Sequence, residues 1–436
     1  MGLATSSWDL SQFEVTPEAG KTRFHEFDLP VEIMHAIADL GFQYCTPVQE
    51  QTLPRSLAGN DIVGRAQTGT GKTAVFLITI FTRLLHRPVT DSAAKPGYPR
   101  CLILAPTREL AVQIGKDAAA LAKHTSLKTI TIFGGVDYQK QMNQLRGQLA
   151  DLLIATPGRL LDYLQKQVVQ LSEVEILVID EADRMLDMGF IPDVRRIVLS
   201  TPPKNKRQTM LFSATITPEV RHLAAQWCKK PVTINIEPEQ VAVETVEQVV
   251  YLTTSEEKFA VVYNLLTRDK PARVMIFTNR RDEARRLTER LTRHGIGCSM
   301  LSGEVPQKQR QSRLESFRRG KMQVLVATDV AGRGIHIEGV DMVINYTLPH
   351  EPEDYVHRIG RTGRAGAAGI SISFACEEGA FYLPAIEEFL GHKLDCVQPE
   401  EELLVTPPPP SPSSATQRRP RRRPVRRKST KNKVPA

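Results

Sequence analysis

Residues Ala66-Gln67-Thr68-Gly69-Thr70-Gly71-Lys72-Thr73 form a glycine-bearing stretch between two predicted elements. Residues 61–64 before it predict a short strand, and residues 74–78 after it predict the start of a helix. A loop in this position turns several backbone N–H groups, at the positive end of the helix dipole, toward one point where an anion is held. Lys72 adds a positive charge for the outer phosphates of a nucleotide, and the Thr73 hydroxyl is placed to ligate Mg²⁺. The stretch therefore predicts a P-loop, with Ala66 at a position where glycine is usual.

Length and composition indicate a globular protein of more than one domain. The chain has 436 residues, of which 41% are hydrophobic and 24% are charged, as in ordinary soluble proteins. No apolar run approaches the roughly 18 residues that span a membrane, and the N-terminus lacks the apolar core of a signal peptide. The six cysteines are scattered and lack metal-site spacing, which is typical of the reducing cytoplasm. We therefore expect a cytoplasmic protein without a membrane partner.

The positive charge is concentrated at the C-terminus. Ten Arg and Lys residues and no acidic residue follow Glu402, so removing those ten from the net charge of +8 leaves residues 1–402 near −2. The tail also carries four consecutive prolines at 407–410 and cannot bury enough apolar surface to fold. We predict a disordered basic tail over residues 403–436 that attracts nucleic-acid phosphates without reading bases. The alternatives are a solubilising tail and a docking segment.

Two series of short apolar runs alternate with helical patterns. In the first series the predicted strands are 101–104, 130–133, 152–155, 176–179, 209–212 and 232–236. In the second they are 249–252, 274–277, 298–301, 324–327, 343–345 and 370–374. Strands that are apolar on both faces and alternate with helices predict a parallel sheet covered on both sides. The predicted organisation is a loose N-terminal extension (1–21), a first α/β domain (22–236), an interdomain linker (237–246) and a second α/β domain (247–402).

An acidic cluster follows one of the predicted strands. Ile176–Ile179 leads directly into Asp180-Glu181-Ala182-Asp183. A lone acidic turn is usually a solvated surface feature, but acids delivered at the carboxyl end of a strand beside a P-loop can hold Mg²⁺ and activate water. Asp180 is predicted to ligate the ion, and Glu181 to orient and deprotonate the attacking water.

From Phe24 to Gly366 the motifs and their order resemble the DEAD-box family of ATP-dependent RNA helicases, which is named for the sequence at 180–183. The resemblance implies an α/β fold of two tandem RecA-like domains, with parallel sheets covered by helices, and the cofactors ATP and Mg²⁺. It assigns Phe24 and Gln49 to adenine recognition, because Gln offers the base edge a donor and an acceptor while an aromatic face stacks on the ring. His336 stands where many family members have an Asp near the ATP ribose, and it can still donate to a ribose hydroxyl.

The resemblance also implies an RNA-binding set. Glycines in this set allow close backbone approach, and its N–H groups, hydroxyls and arginines can bind phosphates. Its members are Pro106, Thr107, Arg108, Gly134, Gly135, Thr156, Pro157, Gly158, Arg159, Thr278, Gln307, Arg310 and Thr328.

A third implied set couples the nucleotide to the RNA. Coupling residues are expected at Asp183, Ser213, Thr215 and His357. Lys72, Glu181, Arg361 and Arg364 are the expected catalytic residues. The two arginines act as fingers from the second domain, which neutralise charge on the transferring phosphoryl group when the cleft closes.

The function implied by the resemblance is an RNA-dependent ATPase and helicase that unwinds short RNA duplexes. Its contacts should be mainly to the RNA backbone, with weak sequence preference, and its catalytic unit should be monomeric. His336, Cys376-Glu377-Glu378 and the Arg-rich tail resemble a bacterial subgroup associated with the RNA degradosome, which implies RNA degradation and a scaffold endoribonuclease as partner. The alternatives are an ATP-gated RNA clamp and another RNA-remodelling protein of the family, for example in ribosome assembly. A DNA helicase is less favoured.

Overall fold

The computed structural model describes residues 8–66, 69–88, 95–236, 246–302, 305–329, 340–363 and 369–410, with the side chains of 307 and 308 left out. Several predictions concern residues outside these ranges. They are Gln67 and Thr68 of the P-loop, the linker up to 245, His336, Arg364, the side chain of Gln307 and the tail from 411.

The first domain is built on a seven-stranded sheet in the order β3-β4-β2-β5-β6-β1-β7, with all neighbours parallel. Its strands are β1 Ile62–Arg65, β2 Cys101–Leu104, β3 Thr129–Ile132, β4 Leu152–Ala155, β5 Ile176–Ile179, β6 Gln208–Ser213 and β7 Val232–Asn235. Every residue of β2, β4, β5 and β6 is buried, because helices cover both faces of a parallel sheet.

The helices of the first domain follow the strands in alternation. They are α1 Val31–Asp39, α2 Pro47–Leu57, α3 Lys72–His86, α4 Arg108–Leu121, α5 Tyr138–Gly147, α6 Pro157–Gln165, α7 Ala182–Asp187, α8 Ile191–Leu199 and α9 Pro218–Trp227. Two apolar cores result, one on each face of the sheet: α3 packs into one and α6 into the other. Helix α3 is buried over most of its length because apolar residues continue around it from Val75 to Leu84.

The second domain repeats this architecture. Its seven parallel strands are in the order β10-β11-β9-β12-β13-β8-β14. They are β8 Val246–Leu252, β9 Val274–Thr278, β10 Cys298–Leu301, β11 Val324–Thr328, β12 Met342–Asn345, β13 Gly369–Ala375 and β14 Asp395–Val397. Its described helices are α10 Lys258–Arg268, α11 Arg281–Arg293, α12 Gln307–Arg318, α13 Pro352–Ile359, α14 Leu383–Leu390 and α15 Glu401–Leu404. The predicted fold of two parallel α/β domains is confirmed, and no helix within the described ranges has both the length and the apolarity to cross a bilayer.

Both ends of the folded body differ from the prediction. The N-terminal extension is not loose from residue 8 onward, because Trp8 and Phe13 pack on the core of the first domain and Val15 is buried. At the other end, the predicted tail boundary at 403 is too early. Leu403 is fully buried in the core of the second domain, and Asn264 Nδ2 donates to the backbone oxygens of Leu403 and Val405 at 2.9 and 2.8 Å.

Candidate functional site

The carboxyl ends of the first sheet divide the candidate residues into two groups. Strands β1, β5 and β6 end at the P-loop, at Asp180 and at Ser213, and they are neighbours in the sheet. Strands β3, β4 and β2 end at Gly134–Gly135, at Thr156 and at Pro106–Arg108. Ligands of open parallel sheets bind beyond the carboxyl ends of the strands. The residues predicted to bind the nucleotide and those predicted to bind RNA thus lie side by side, beyond the carboxyl ends of neighbouring strands.

The P-loop residues that are described have the geometry expected from the sequence. Gly69 and Gly71 have φ of +91° and +97°, a conformation that favours glycine. Lys72 and Thr73 begin helix α3, so that the N-terminus of the helix faces the loop. Lys72 Nζ donates to the carbonyl of Ala66 at 2.6 Å and lies 4.0 Å from Asp180 Oδ1. This amine is buried beside the strand that carries the acids, where an anionic ligand would meet it.

The side chain of Gln49 is hydrogen-bonded to the P-loop and to the residue before helix α2. Its Oε1 accepts from the Thr46 backbone N–H at 2.8 Å, and its Nε2 donates to the carbonyl of Gly71 at 3.3 Å. Thr46 Oγ1 donates in turn to the carbonyl of Thr70 at 2.8 Å. A Cβ on Gly71 would lie only 2.6 Å from Gln49 Nε2, so this close contact requires glycine. The side chain predicted to read a base therefore also positions the phosphate loop.

Phe24 does not provide the predicted stacking surface. Its side chain is fully buried in the core of the first domain, so it has no face open to a ligand. It stacks instead on Phe42, with ring centroids 6.4 Å apart. Phe42 is 37% exposed and lines a cavity of about 690 Å³ together with Gln49, Gly71 and Thr73. The assignment of Phe24 is wrong, and Phe42 is the aromatic residue that sequence reasoning missed.

Asp180 is a buried carboxyl facing Lys72. Burial raises its pKa to about 6, while the Lys72 charge opposes that rise. The Glu181 backbone N–H donates to Asp180 Oδ1 at 3.0 Å. Burying a charged carboxylate away from water is unfavourable unless a partner compensates the charge. A cation that prefers oxygen ligands, such as Mg²⁺, is such a partner. Its position 4.0 Å from Lys72 and its oxygen donor fit the predicted Mg²⁺ site, with the hydroxyl-bearing Thr73 lining the same cavity.

Glu181 lies at the junction of two interdomain cavities. It has φ of +52°, rare for a residue with a side chain, and it caps helix α7. Its Oε2 accepts from Arg184 Nη1 at 2.9 Å. The cavity of about 690 Å³ and a second one of about 610 Å³ are both lined by Glu181 and Lys72.

Asp183 joins the acidic motif to the end of strand β6. Its backbone N–H donates to Ser213 Oγ at 3.1 Å. Its Oδ2 accepts from the Thr215 backbone N–H at 2.8 Å and from Thr215 Oγ1 at 3.1 Å. Three of the four residues predicted to couple nucleotide and RNA therefore form one hydrogen-bonded unit.

The second domain contributes Arg361 and His357 to the same cleft. Both line the cavity of about 610 Å³, opposite Lys72 and Glu181. Arg361 Nε donates to the backbone oxygen of His357 at 3.2 Å, and His357 Nδ1 lies 3.8 Å from Asp354 Oδ1. The structure thus brings an arginine of one domain to the acids of the other.

Arg358, three residues before Arg361 in the sequence, has a different environment. Its Nε and Nη2 each contact one carboxylate oxygen of Asp329 at 2.6 Å. It also donates to Asn279 Oδ1 at 2.7 Å and to the Thr347 carbonyl at 2.6 Å. This fully buried guanidinium ties three strand ends of the second domain together. Only Arg361 and Arg364 were predicted from sequence as arginine fingers, and Arg358 was given no role.

The RNA-side residues of the first domain share one surface, but not all of them are available. Thr107 and Thr156 cap helices α4 and α6, with buried Pro106 and Pro157 beside them and exposed Gly158 following. The exposed guanidinium of Arg108 covers Gly134 and Gly135, where a Cβ on Gly135 would collide with it.

Arg159 is held within the first domain. It donates to Gln141 Oε1 at 2.9 Å and lies over the rings of Tyr138 and Tyr163, 5.1 and 5.7 Å from their centroids. It is therefore a structural anchor of this surface as well as a predicted phosphate contact.

Residues predicted for RNA in the second domain are more buried than expected. Thr278 is fully buried, with Oγ1 donating to the Arg280 carbonyl at 3.1 Å, and Thr328 is buried at the end of β11. Arg310 is also buried, and its Nε contacts Glu109 Oε1 of the first domain at 2.8 Å. The structure assigns Arg310 to an ion pair between the domains, not to an open RNA surface.

Comparisons with known proteins match both halves of the chain. The DEAD/DEAH box helicase model matches residues 46–223, and the helicase conserved C-terminal domain model matches residues 257–366. The chain is 58% identical to the ATP-dependent RNA helicase RhlB of Pseudomonas putida over 388 residues, which are 89% of this chain and 97% of that protein. It is 59% identical to RhlB of Pseudomonas aeruginosa over 89% of this chain and 98% of that protein.

Solved protein structures resemble this chain over most of its length. S. cerevisiae Dbp5 bound to RNA and ADP BeF3 is similar with a TM-score of 0.77 and 31% identity, over 86% of this chain and 96% of that chain. Mss116p bound to ssRNA and AMP-PNP is similar with a TM-score of 0.76 and 30% identity, over 89% of this chain and 82% of that chain.

Proposed function

Because the chain belongs to the DEAD-box family of ATP-dependent RNA helicases, we propose that it couples ATP hydrolysis to the unwinding of short RNA duplexes during RNA degradation. The observation that carries the proposal is the convergence of Lys72 and Glu181 with Arg361, from the other domain, on one cleft. A P-loop amine, a candidate base and an arginine supplied across the cleft are the parts that phosphoryl transfer to water requires.

ATP is the substrate, and the first domain supplies most of its contacts. The phosphates bind to the N–H groups of the loop Ala66–Thr73 and to Lys72. The base enters the cavity lined by Phe42 and Gln49, where the ring stacks and the amide pairs with the adenine edge. His336 remains our proposal for the ribose contact.

Asp180 and Thr73 would hold Mg²⁺ through their oxygens, a donor set that this ion prefers. When bound, the ion neutralises charge on the outer phosphates. Glu181 orients water and accepts its proton, and Arg361 with Arg364 stabilises negative charge on the transferring phosphoryl group. Because Arg361 comes from the second domain, hydrolysis depends on how closely the two domains approach.

RNA binds along the other half of the sheet edge, mainly through its backbone and 2′-hydroxyls. Arg108, the helix N-cap residues Thr107 and Thr156 and the backbone at Gly134–Gly135 form this surface. The unit formed by Asp183, Ser213 and Thr215 links it to the nucleotide half. Of the predicted second-domain contacts, Gln307 remains a proposal for RNA.

The test of this function is the ATPase rate of the full chain with single-stranded RNA, with single-stranded DNA and without nucleic acid, together with unwinding of a short RNA duplex. We expect stimulation by RNA and little by DNA, and strand separation that requires ATP. ATP-dependent RNA binding with negligible turnover would instead favour the RNA clamp. Equal stimulation by DNA would contradict the assignment of RNA as substrate.

Changing Phe42 to Ala is expected to weaken ATP binding, because stacking on the base is lost. Removal of one stacking ring costs about 0.5–1.5 kcal/mol beyond area burial, which is roughly 2- to 13-fold in the dissociation constant. ATP and GTP affinity should fall together, since stacking does not distinguish the purines. The measurement is nucleotide affinity by calorimetry, with Phe389→Ala as control, because Phe389 is also partly exposed but lies in the second domain. Unchanged ATP affinity would mean that the base does not stack on Phe42.

We propose a cytoplasmic role in RNA degradation with a scaffold endoribonuclease as partner, supported by the likeness to RhlB proteins and by six cysteines without disulfides. The basic tail binds RNA phosphates or helps dock this scaffold. Comparing proteins captured from native lysate by the full chain and by residues 1–410 tests the docking role. Recovery of an endoribonuclease by neither form would contradict the partnership.

A further inference from the structure

A cluster of two histidines and one aspartate lies on the first domain, apart from the residues of the cleft. His35 and Asp39 are one helical turn apart on α1 and therefore share a face. His124 follows the C-terminus of α4 and reaches the same carboxylate, with His124 Nε2 and Asp39 Oδ2 2.8 Å apart. His35 Nε2 lies 3.9 Å from Asp39 Oδ1. One donor atom from each residue lies within 4.8 Å of the other two.

We propose that His35, Asp39 and His124 form a binding site for a divalent transition-metal ion, with Zn²⁺ as the best match. Two imidazole nitrogens and one carboxylate oxygen are a donor set that Zn²⁺ accepts, with a fourth position left for water. Hard cations such as Mg²⁺ prefer oxygen donors alone, so this site is chemically distinct from the one proposed at Asp180.

The present geometry is close to that of a metal site but more open. Donors about 2.1 Å from a tetrahedral ion lie roughly 3.4 Å apart, so separations of up to 4.8 Å have to shorten by side-chain rotation. All three side chains are partly exposed, and they are therefore accessible to an ion and able to rotate. Lys123 Nζ also contacts Asp39 Oδ2 at 2.5 Å, but this side chain is 61% exposed and can turn into solvent when a cation enters.

The two imidazoles are held together independently of the carboxylate. Their rings stack with centroids 3.5 Å apart and planes inclined by 5°, an arrangement that two like-charged imidazolium rings would oppose. A ring nitrogen ligates a metal through a lone pair in the plane of its ring, so the two stacked rings have to turn relative to each other to share one ion.

Trp8 extends this stack and connects it to the N-terminal segment. Its indole lies on His35, with ring centroids 4.4 Å apart and planes inclined by 5°. Metal binding that turns His35 therefore changes the environment of Trp8. The proposal links a metal ion to the packing of the N-terminal segment on the first domain.

Zn²⁺ binding to the full-length, untagged chain, measured by equilibrium dialysis in Mg²⁺-free buffer, tests the proposal. The wild type should bind one more Zn²⁺ than the His35→Gln/His124→Gln variant, and Asp39→Asn should bind that ion at least about tenfold more weakly. His222→Gln, which changes an exposed histidine of α9, is the matched control and should bind as the wild type does. Equal stoichiometry and affinity in the wild type and the double variant would overturn the proposal.

A second measurement does not depend on the folding of the ligand variants. Cu²⁺, which accepts the same donors and quenches nearby indoles, should reduce Trp8 emission. The chain has two tryptophans, and Trp227 is buried in the core. Trp8→Phe should therefore abolish the saturable quench while retaining Zn²⁺ binding. An unchanged quench in Trp8→Phe would place the copper away from this cluster and contradict the proposal.

Discussion

Replacing Glu181 with Gln is expected to slow RNA-stimulated ATP hydrolysis on the order of 10²–10⁴-fold, the usual loss when a general base is removed. ATP and RNA binding should persist. The amide has the shape of the carboxylate, and its oxygen can still accept from Arg184 Nη1, which lies 2.9 Å from Glu181 Oε2. The measurements are the steady-state ATPase rate with saturating RNA and, separately, the dissociation constants of ATP and RNA.

The chain offers a matched control for this variant. Glu175 immediately precedes strand β5, whose other end leads to Glu181, and its Oε1 contacts Arg100 Nε at 2.6 Å. Glu175→Gln makes the same chemical change at the amino end of the same strand, away from the cleft. The ATPase rate of this variant should therefore remain close to wild type. A near-normal rate in Glu181→Gln would remove Glu181 from the mechanism. A comparable loss in both variants would indicate damage to the sheet instead of loss of a base.

Strands were predictable where burial on both faces left a continuous apolar run. Cys101–Leu104, Leu152–Ala155 and Ile176–Ile179 have the predicted bounds, because a strand covered by helices on both sides needs no polar face. Strand β14, at Asp395–Val397, was missed. It is short, lies at the sheet edge and is largely exposed, so its residues carry no apolar run.

The parts of the candidate site that short sequence motifs identify were predictable. Lys72, Glu181 and Arg361 were proposed from sequence, and the structure brings all three to one cleft. Which aromatic ring faces the cavity was not predictable, because Phe24 and Phe42 differ in packing and not in residue type. The ion pair of Arg310 with Glu109 was likewise missed. Its partners lie in different domains, and no local pattern relates them.

Helix α13 carries Arg358, and Arg361 follows two residues after the helix ends. Of these two arginines, only Arg361 was predicted from sequence as an arginine finger. Arg358 is bonded on several sides and pairs with Asp329 through both carboxylate oxygens. Arg361 lines the cleft opposite Lys72 and Glu181. Substituting each with Ala should therefore affect different measured quantities, and the pair of variants tests the assignment of Arg361 as a finger.

Arg361→Ala is expected to lower the ATPase rate on the order of 10³-fold, the lower end of the effect of an arginine finger. ATP affinity in the absence of RNA should stay close to wild type, and the free energy of unfolding should fall less than in Arg358→Ala, whose guanidinium contacts both carboxylate oxygens of Asp329. Arg358→Ala leaves the Asp329 carboxylate without its guanidinium partner, and breaking a buried pair costs about 3–5 kcal/mol of stability.

Denaturant unfolding, nucleotide affinity and ATPase rate are measured for both variants. If Arg361→Ala weakened ATP binding as much as it slowed turnover, Arg361 would be a ground-state ligand. If it lowered stability as Arg358→Ala does, its role would be structural. A selective loss of turnover would leave catalysis across the closed cleft as the explanation.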